Sequence, residues 1–410
     1  MKRLVIVGNG GAAISALRAI RSTSKSHRIT LISAEDCPAY SPVLTTYYLA
    51  GSIPYRTMFL CNRDFYRRHG VRAILGDGVV AVEPQDQRVV LAGGNAVSYD
   101  ELLVATGSSV AVPPIPGIGD CLTLWTAAEA RRLREQARHA ATVAVVGAGL
   151  IGMQIADALW RRGKKIVVIE MQERVLPRVM DGDGAALVAE RLRGAGVELR
   201  LGEQVREVVA RDGGKGLLLA SGDVVEAEVV VFATGVRPNA GLLDGSGVKL
   251  SPGVEVDEGG RTNMEHIFAA GDVAQGRDPV TGRWQVNATW TNAVEGGWVA
   301  GLNMAGATAS RRRCARVNVL SPLGLPVASL GMVEPEVRGD DEVVRRNGSS
   351  YQRLVFRRGR LVGAVLVGEI EAAGILSNLI DREELLPQVE SRLRRRSAFH
   401  VVAGPQGFFQ

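Results

Sequence analysis

Cysteine is almost absent from this sequence. The 410 residues hold four, Cys37, Cys61, Cys121 and Cys314, all far apart, with no C-x-x-C pair and no metal-ligand spacing. That excludes a disulfide-stapled fold, a structural zinc site and a dithiol redox centre, and no metal is expected. Long hydrophobic runs are missing too. No stretch approaches the roughly 18 apolar residues of a membrane helix. Lysine is rare, at six of the 49 basic residues, the rest being arginine. The formal net charge of +6 raises the question of a nucleic-acid partner. The arginines are scattered among acids, however, and no nucleic-acid motif accompanies the two dense runs, Arg311 to Arg313 and Arg392 to Arg396. Those runs read as solvated surface or as a contact for an acidic protein. An apolar strand begins by Leu4, leaving no room for a secretory signal. The expectation is a soluble, cytoplasmic protein.

Glycine is abundant, with 49 residues, beside 46% hydrophobic and only 5% aromatic residues. This is a globular α/β composition, and the length suggests two to three domains. A large-scale echo supplies the division. A strand, glycine turn and helix at Leu4 to Ile20 recurs at Val143 to Trp160, with Gly8 and Gly147 139 residues apart. Each copy is followed by a second strand ending near an acid, and later by an A-T-G segment. Two nucleotide folds imply two nucleotides. Residues 1–125, closed by the turn Pro113-Pro114-Ile115-Pro116-Gly117, read as the first unit and 126–243 as the second. Residues 244–310 carry a further strand and helix without a fingerprint and read as a return into the first unit. From Val317 the chain changes to short β segments. Val327–Leu330, Ser350–Phe356 and Leu361–Val367 are predicted strands, the last two joined by a tight turn at Arg358-Gly359, and Glu371–Ile380 is a predicted helix. Residues 311–400 thus form a small α+β domain, and 401–410 a tail that is either disordered or an arm for a neighbour.

The two glycine turns carry the chemistry. Gly8-Asn9-Gly10-Gly11-Ala12-Ala13 is a G-x-G-x-x-A between strand and helix. Gly8 permits the turn, Gly10 lets backbone approach a pyrophosphate, and Ala13 allows close helix packing. The second strand, Arg28 to Ser33, leads to Glu35, 22 residues after Ala13, whose carboxylate can accept from ribose hydroxyls. Gly147-Ala148-Gly149-Leu150-Ile151-Gly152 is the second fingerprint, and Glu170 ends its second strand, 18 residues after Gly152. A carboxylate there favours a free 2′-hydroxyl over a 2′-phosphate, hence NAD over NADP, with Arg174 near enough to oppose it.

Further segments make the arrangement recognisable. Leu103-Val104-Ala105-Thr106-Gly107 and Val231 to Asn239, which contains Thr234-Gly235, resemble the two A-T-G segments of two-dinucleotide flavoproteins. Ile267 to Val273 resembles their second FAD motif, in which the position of Asp272 binds the ribityl chain beside Gly271. The resemblance covers nearly the whole chain and is closest to the ferredoxin- and rubredoxin-reductase branch and to the FAD domain of nitrite reductase. It implies two Rossmann-like, three-layer ββα domains for FAD and NAD plus the small C-terminal domain. Gly8, Gly10, Ala13, Glu35, Ala105, Thr106, Gly107, Gly271 and Asp272 would serve FAD; Gly147, Gly149, Gly152, Glu170 and Gly235 would serve NAD. Related chains act on iron-sulfur or rubredoxin-like proteins, or as NAD-linked FAD subunits of larger redox enzymes, and an oligomer is compatible with this.

Disulfide reductases of the superfamily carry a C-x4-C pair after the first unit's second strand, and coenzyme A-disulfide reductases and NADH oxidases a single cysteine. Here Tyr40 to Tyr48 has none, and Cys37 lies upstream. The expected mechanism is therefore hydride transfer between nicotinamide and flavin, with electrons leaving outward. The rivals are a Cys37-dependent NADH oxidase and a non-catalytic redox sensor. The ferredoxin-reductase branch usually places a Lys within the segment equivalent to Val43–Thr46 and a Glu two residues past the third fingerprint glycine. Here Thr45 or Thr46 and Gln154 stand there, so both charges are gone together, and Gln154 either faces the nicotinamide or is a neutral helix residue.

Overall fold

The computed structural model describes residues 1–311, 315–382, 391 and 393–395. Cys314, most of the two arginine runs and the tail from 396 lie outside the described residues. Helices are named α1 (Gly11–Thr23), α2 (Thr45–Ala50), α3 (Arg63–Arg68), α4 (Ala127–Gln136), α5 (Leu150–Trp160), α6 (Gly182–Gly194), α7 (Trp290–Met304) and α8 (Ala373–Arg382).

Two parallel sheets form because the strands of each glycine-turn unit are apolar almost throughout, so both faces can be covered. The first sheet runs Ile267–Ala269, Glu101–Val104, Arg3–Val7, Arg28–Ser33, Val71–Leu75. The second runs Glu198–Leu201, Lys165–Glu170, Thr142–Val146, Val229–Phe232, Leu122–Thr123. Each is layered between helices and a three-stranded antiparallel meander: Val79–Glu83, Arg88–Leu91 and Ala96–Ser98 in the first unit, Val205–Arg211, Gly214–Leu219 and Val224–Ala227 in the second. The expected α/β class with two three-layer units is what the chain adopts. Leu122–Thr123, four residues before the anticipated boundary at 126, already belongs to the second sheet, while the Pro-rich turn docks there through Val208 N–H on the Pro116 carbonyl (2.9 Å).

The strand Ile267–Ala269 pairs with Glu101–Val104, and α7 packs along α1. That packing depends on glycine. A Cβ on Gly297 would stand 2.1 Å from the Ala12 carbonyl oxygen, and one on Gly301 2.4 Å from that of Ala16. This G-x-x-x-G stripe was legible in the sequence and went unread.

The C-terminal unit is an antiparallel sheet ordered Val317–Leu320, Val327–Gly331, Arg360–Val367, Ser350–Arg357, Asp340–Asn347, with Leu376 and Ile380 of α8 buried on it. Asp340–Asn347 is an edge strand with mostly exposed, charged residues, so no alternation announced it. The Arg358-Gly359 hairpin has both residues at positive φ, 52° and 75°, as a tight two-residue connection demands. This unit is fastened to the second one. Asp181, fully buried at the start of α6, accepts from Gly184 N–H, the Tyr351 hydroxyl and Arg353 (2.7 Å).

Candidate functional site

Both glycine turns leave a strand end and enter a helix under the same constraints. Gly8 has φ 117°, and a Cβ would lie 2.1 Å from Ala105 O; Gly147 has φ 107°, with Ala233 O at 2.4 Å. Neither place admits a side chain. The next glycine of each turn differs. At Gly10 and Gly149 an added Cβ would meet nothing within 4 Å. These two residues begin α1 and α5 without any side-chain cap, whereas α3, α4, α6 and α7 are capped by Asn62, Thr126, Asp181 and Thr289. Uncapped N–H groups facing open space at a helix N-terminus are a seat for phosphate. Gly152 lets α5 close on its turn, a Cβ there being 1.9 Å from Gly147 O, and Ala13 is fully buried in the core of the first unit.

Beside the first turn, Glu35 accepts from the Tyr40 hydroxyl with both oxygens (3.0 Å each) and from the Cys37 thiol (3.9 Å). Burial raises the Glu35 carboxyl above its ordinary range, partly offset by Tyr40. The Cys37 thiol is pushed up to about 11 by burial and then by the carboxylates of Glu35 and Asp36. Gly271 (φ 81°) turns the chain so that Asp272 accepts from Ser108 Oγ (3.1 Å), directly after the first A-T-G. Burial raises the Asp272 carboxyl, and the Ser108 hydroxyl opposes this.

Thr106 has a further engagement. Its hydroxyl donates to the Asn239 carbonyl (2.7 Å), Asn239 Nδ2 donates to the Thr106 carbonyl (3.0 Å), and Asn239 N–H donates to Gly107 O (2.9 Å). Strands Ser108–Val110 and Val236–Pro238 pair antiparallel alongside, and Thr234 Oγ1 donates to Ala111 O (2.7 Å). The two A-T-G segments therefore clasp one another and join the units, with Gly107 and Gly235 both at positive φ. Ser108 and Asn239 were missed, although each directly follows or ends a segment singled out in the sequence.

In the second unit Glu170 is 8% exposed, accepting from Ala148 N–H (2.7 Å) and Gln172 N–H (3.0 Å). Its carboxylate thus braces the glycine turn as well as ending the strand. Arg174 is held by Glu334 of the C-terminal unit (3.4 Å). Between the units, Thr46 Oγ1 donates to Gln154 Oε1 (3.4 Å), joining α2 to α5 above a cavity of about 260 Å3 that also reaches Met153, Leu320 and Pro322. Of the two threonines it is Thr46 that meets Gln154; the Thr45 hydroxyl donates back to the Pro42 carbonyl (2.7 Å) and leaves the Thr45 position outside this contact. Among the described residues no group of His, Cys, Asp and Glu could hold a metal ion, and no helix is long and apolar enough to cross a membrane.

Paired glycine-turn units clasped face to face, each with an uncapped helix end, define the class of two-dinucleotide oxidoreductases. Residues 2–297 match the family model for pyridine nucleotide-disulphide oxidoreductases, and the chain belongs to that family. Residues 317–384 match the rubredoxin NAD+ reductase C-terminal domain. The chain is 32% identical to subunit epsilon of the NADH-dependent phenylglyoxylate dehydrogenase of Aromatoleum evansii, over 95% of this chain and 94% of that one. It is 28% identical to the nitrite reductase [NAD(P)H] of Bacillus subtilis, matching 93% of this chain but only 47% of that protein, about half its length. Among solved structures it superposes on the water-forming NADH oxidase of Lactobacillus brevis bound to NADH, with a TM-score of 0.89 and 25% identity over 94% of this chain and 91% of that one. The protein is an NAD(P)H-dependent FAD oxidoreductase with FAD and NAD as its cofactors.

Proposed function

We propose that this chain passes electrons between NADH and a separate iron-sulfur or rubredoxin-like protein without a thiol relay, as the NAD-linked FAD subunit of a larger cytoplasmic redox enzyme. The observation that carries this reading is the chemistry of Cys37. A thiol pushed up to about 11 is protonated at neutral pH and is a poor nucleophile. The Cys37-dependent oxidase reading therefore has the weaker support. Likeness along almost its full length to a subunit of an NADH-dependent dehydrogenase supports the subunit role.

The residues divide the work as follows. N–H groups at the starts of α1 and α5, opened by Gly10 and Gly149, hold the two pyrophosphates. Glu35 accepts from the FAD ribose, and Asp272, steadied by Ser108, accepts from the ribityl chain. Gly8 against the small Ala105, Gly271 against Ala12, and Gly147 with Gly152 let the turns close tightly, while Gly107 and Gly235, where an added Cβ would meet nothing within 4 Å, leave the strand ends clear for FAD and NAD. Glu170 retains lone pairs beyond its two amides for a ribose hydroxyl, and its charge repels a 2′-phosphate. Thr46 and Gln154 make an uncharged wall where the units meet. The buried atoms Gln285 Nε2 and Asn287 Oδ1, just before α7 and without partners among the described residues, are available to polar edges of a bound ring. When bound, FAD supplies acceptance of hydride and its release as single electrons. On this reading the FAD unit takes residues up to Cys121 and again 244–310, and the NAD unit those between.

The test is anaerobic stopped flow. NADH should bleach the flavin and ferricyanide should reoxidise it at the same rates in wild type and Cys37→Ser. Loss of reoxidation by every protein and one-electron acceptor, with disulfide or peroxide turnover abolished in Cys37→Ser, would overturn the reading.

A further inference from the structure

The edge-strand side of the first sheet carries an open groove of about 1320 Å3, running from the strand starts at Arg3 and Arg28 past Ile74 to Asp77 and lined by none of the residues assigned to the nucleotides. Its walls are the starts of strands Arg3–Val7 and Arg28–Ser33, the ends of α1 and α3, the strand Val71–Leu75, and residues 95–98 of the first meander. Six cationic side chains line it: Arg3, Arg21, Lys25, Arg28, Arg68 and Arg72. Asp77 is the one carboxylate among the described lining residues, and it accepts from Gly93 N–H (2.9 Å). Arg3 is paired with Asp100 (2.6 Å), and Arg21 is spent on the carbonyls of Ser24, His27, His69 and Gly70. Lys25, Arg28, Arg68 and Arg72 remain exposed, with no ion-pair partner among the described residues.

Arg3 and Arg28 are register neighbours on adjacent strands, with the Arg3 charge met by Asp100. The backbone beside them is also open. Val71–Leu75 is the edge of the parallel sheet and Ala96–Ser98 the edge of the meander, and unpaired edges accept a further strand from another chain. Among the described residues the lining contains no Phe, Tyr or Trp, so it offers bases of a single-stranded nucleic acid no stacking platform.

We propose that this groove anchors an acidic, extended segment of a partner protein, paired by its main chain to an open edge and by its carboxylates to Lys25, Arg28, Arg68 and Arg72. Arg28 is in register with Arg3, and Arg3 and Val7 bracket one strand, so the Arg28 end of the anchor lies about 13 Å along it from the glycine turn. A partner held at that end covers none of the residues assigned to the nucleotides. The anchor is independent of which protein exchanges electrons, and the two can fail separately.

The test titrates the FAD-loaded full chain, by fluorescence anisotropy, with a labelled glutamate-rich peptide of about ten residues and an oligothymidylate of equal charge. The peptide should bind, weakening at least ~10-fold between about 50 and about 200 mM salt and at least ~10-fold in Arg28→Glu/Arg72→Glu. A peptide of the same charge with alternate prolines, unable to pair with an edge, should bind ~10-fold more weakly. Flavin content and NADH–ferricyanide rate should stay at wild type. Should the first double variant fold poorly, Lys25→Glu/Arg68→Glu at exposed positions should show the same loss. Peptide binding unchanged in the charge-reversed chains, oligothymidylate bound as tightly as the peptide, or proline peptide bound as well as its parent each overturns the proposal.

Discussion

Replacing Gly10 by alanine separates the fold of the first unit from its grip on a phosphate. Gly10 sits at φ −90°, ψ −166°, a conformation alanine adopts readily. The added Cβ meets no protein atom within 4 Å, and alanine as an N-cap costs the apoprotein no more than ~1 kcal/mol. The space it fills is that in front of the uncapped N–H groups of α1. Pushing a phosphate outward there loses a charge-assisted hydrogen bond, about 1.5–3 kcal/mol, and part of the helix-end attraction, about 0.3–1 kcal/mol. A sum of about 2–4 kcal/mol weakens FAD binding roughly 30- to 1000-fold. Gly8→Ala is the contrasting control. At φ 117° and 2.1 Å from Ala105 O the methyl strains the backbone itself, and the apoprotein should lose several kcal/mol. The assay is thermal unfolding of flavin-stripped protein together with FAD titration by flavin fluorescence quenching. If Gly10→Ala binds FAD as tightly as wild type, the pyrophosphate does not lie at α1. If its apoprotein unfolds as early as Gly8→Ala, the space in front of Gly10 is not open.

Glu170→Ala should do two things at once. Unpairing Ala148 N–H and Gln172 N–H should destabilise the second unit by about 1–3 kcal/mol, and the NADH over NADPH preference in kcat/KM should narrow, mostly through KM; an unchanged melting temperature and an unchanged ratio together would remove Glu170 from both roles. Glu334→Gln frees Arg174 from its surface pair, and NADPH kcat/KM should rise by up to ~5-fold, the scale of a partly exposed ion pair, whereas no gain would show that Arg174 does not reach the 2′-position. Cys37 should give its thiolate absorbance near pH 11 rather than in the ordinary cysteine range, because burial favours the neutral thiol. That preference supports the fold at lower pH and is lost as pH rises through about 11, so a titration with thiolate formed by pH 8 would restore the thiol reading.

Some expectations needed only short-range physics. The strand Arg28–Ser33 was bounded to the residue, because β-branched residues, flanking polar residues and a following acid mark it locally. Strands Val327–Gly331, Ser350–Arg357 and Arg360–Val367 were each placed within a residue or so of their observed ends. The helix predicted from Glu371 begins at Ala373 and is described as far as Arg382, a start within the usual scatter where no cap signal fixes it. Val317–Leu320 was not singled out as a strand, being an edge with exposed valines whose pairing comes from its neighbour. In the second arginine run, Arg394 pairs with Asp341 (2.9 Å) and lies over the Phe356 ring, so this arginine is engaged within its own domain. Nothing in the run's spacing distinguishes that from a free surface.

By itself the sequence determined the two glycine-turn units, their order and the acids at their strand ends. Those features are written in contiguous stretches whose glycines and apolar strands act within a few residues. Only the tertiary structure decided which groups those stretches bring together. Thr106 is tied to Asn239 across 133 residues of chain, Thr46 rather than Thr45 meets Gln154 across 108, and Asp181 is capped by Tyr351 across 170. The unpaired cations along the edge of the first sheet converge from the turn after α1, from α3 and from two strands, and no local pattern records that meeting. The reason is that a side chain's orientation and its long-range partner follow from packing, which propensity and spacing do not encode.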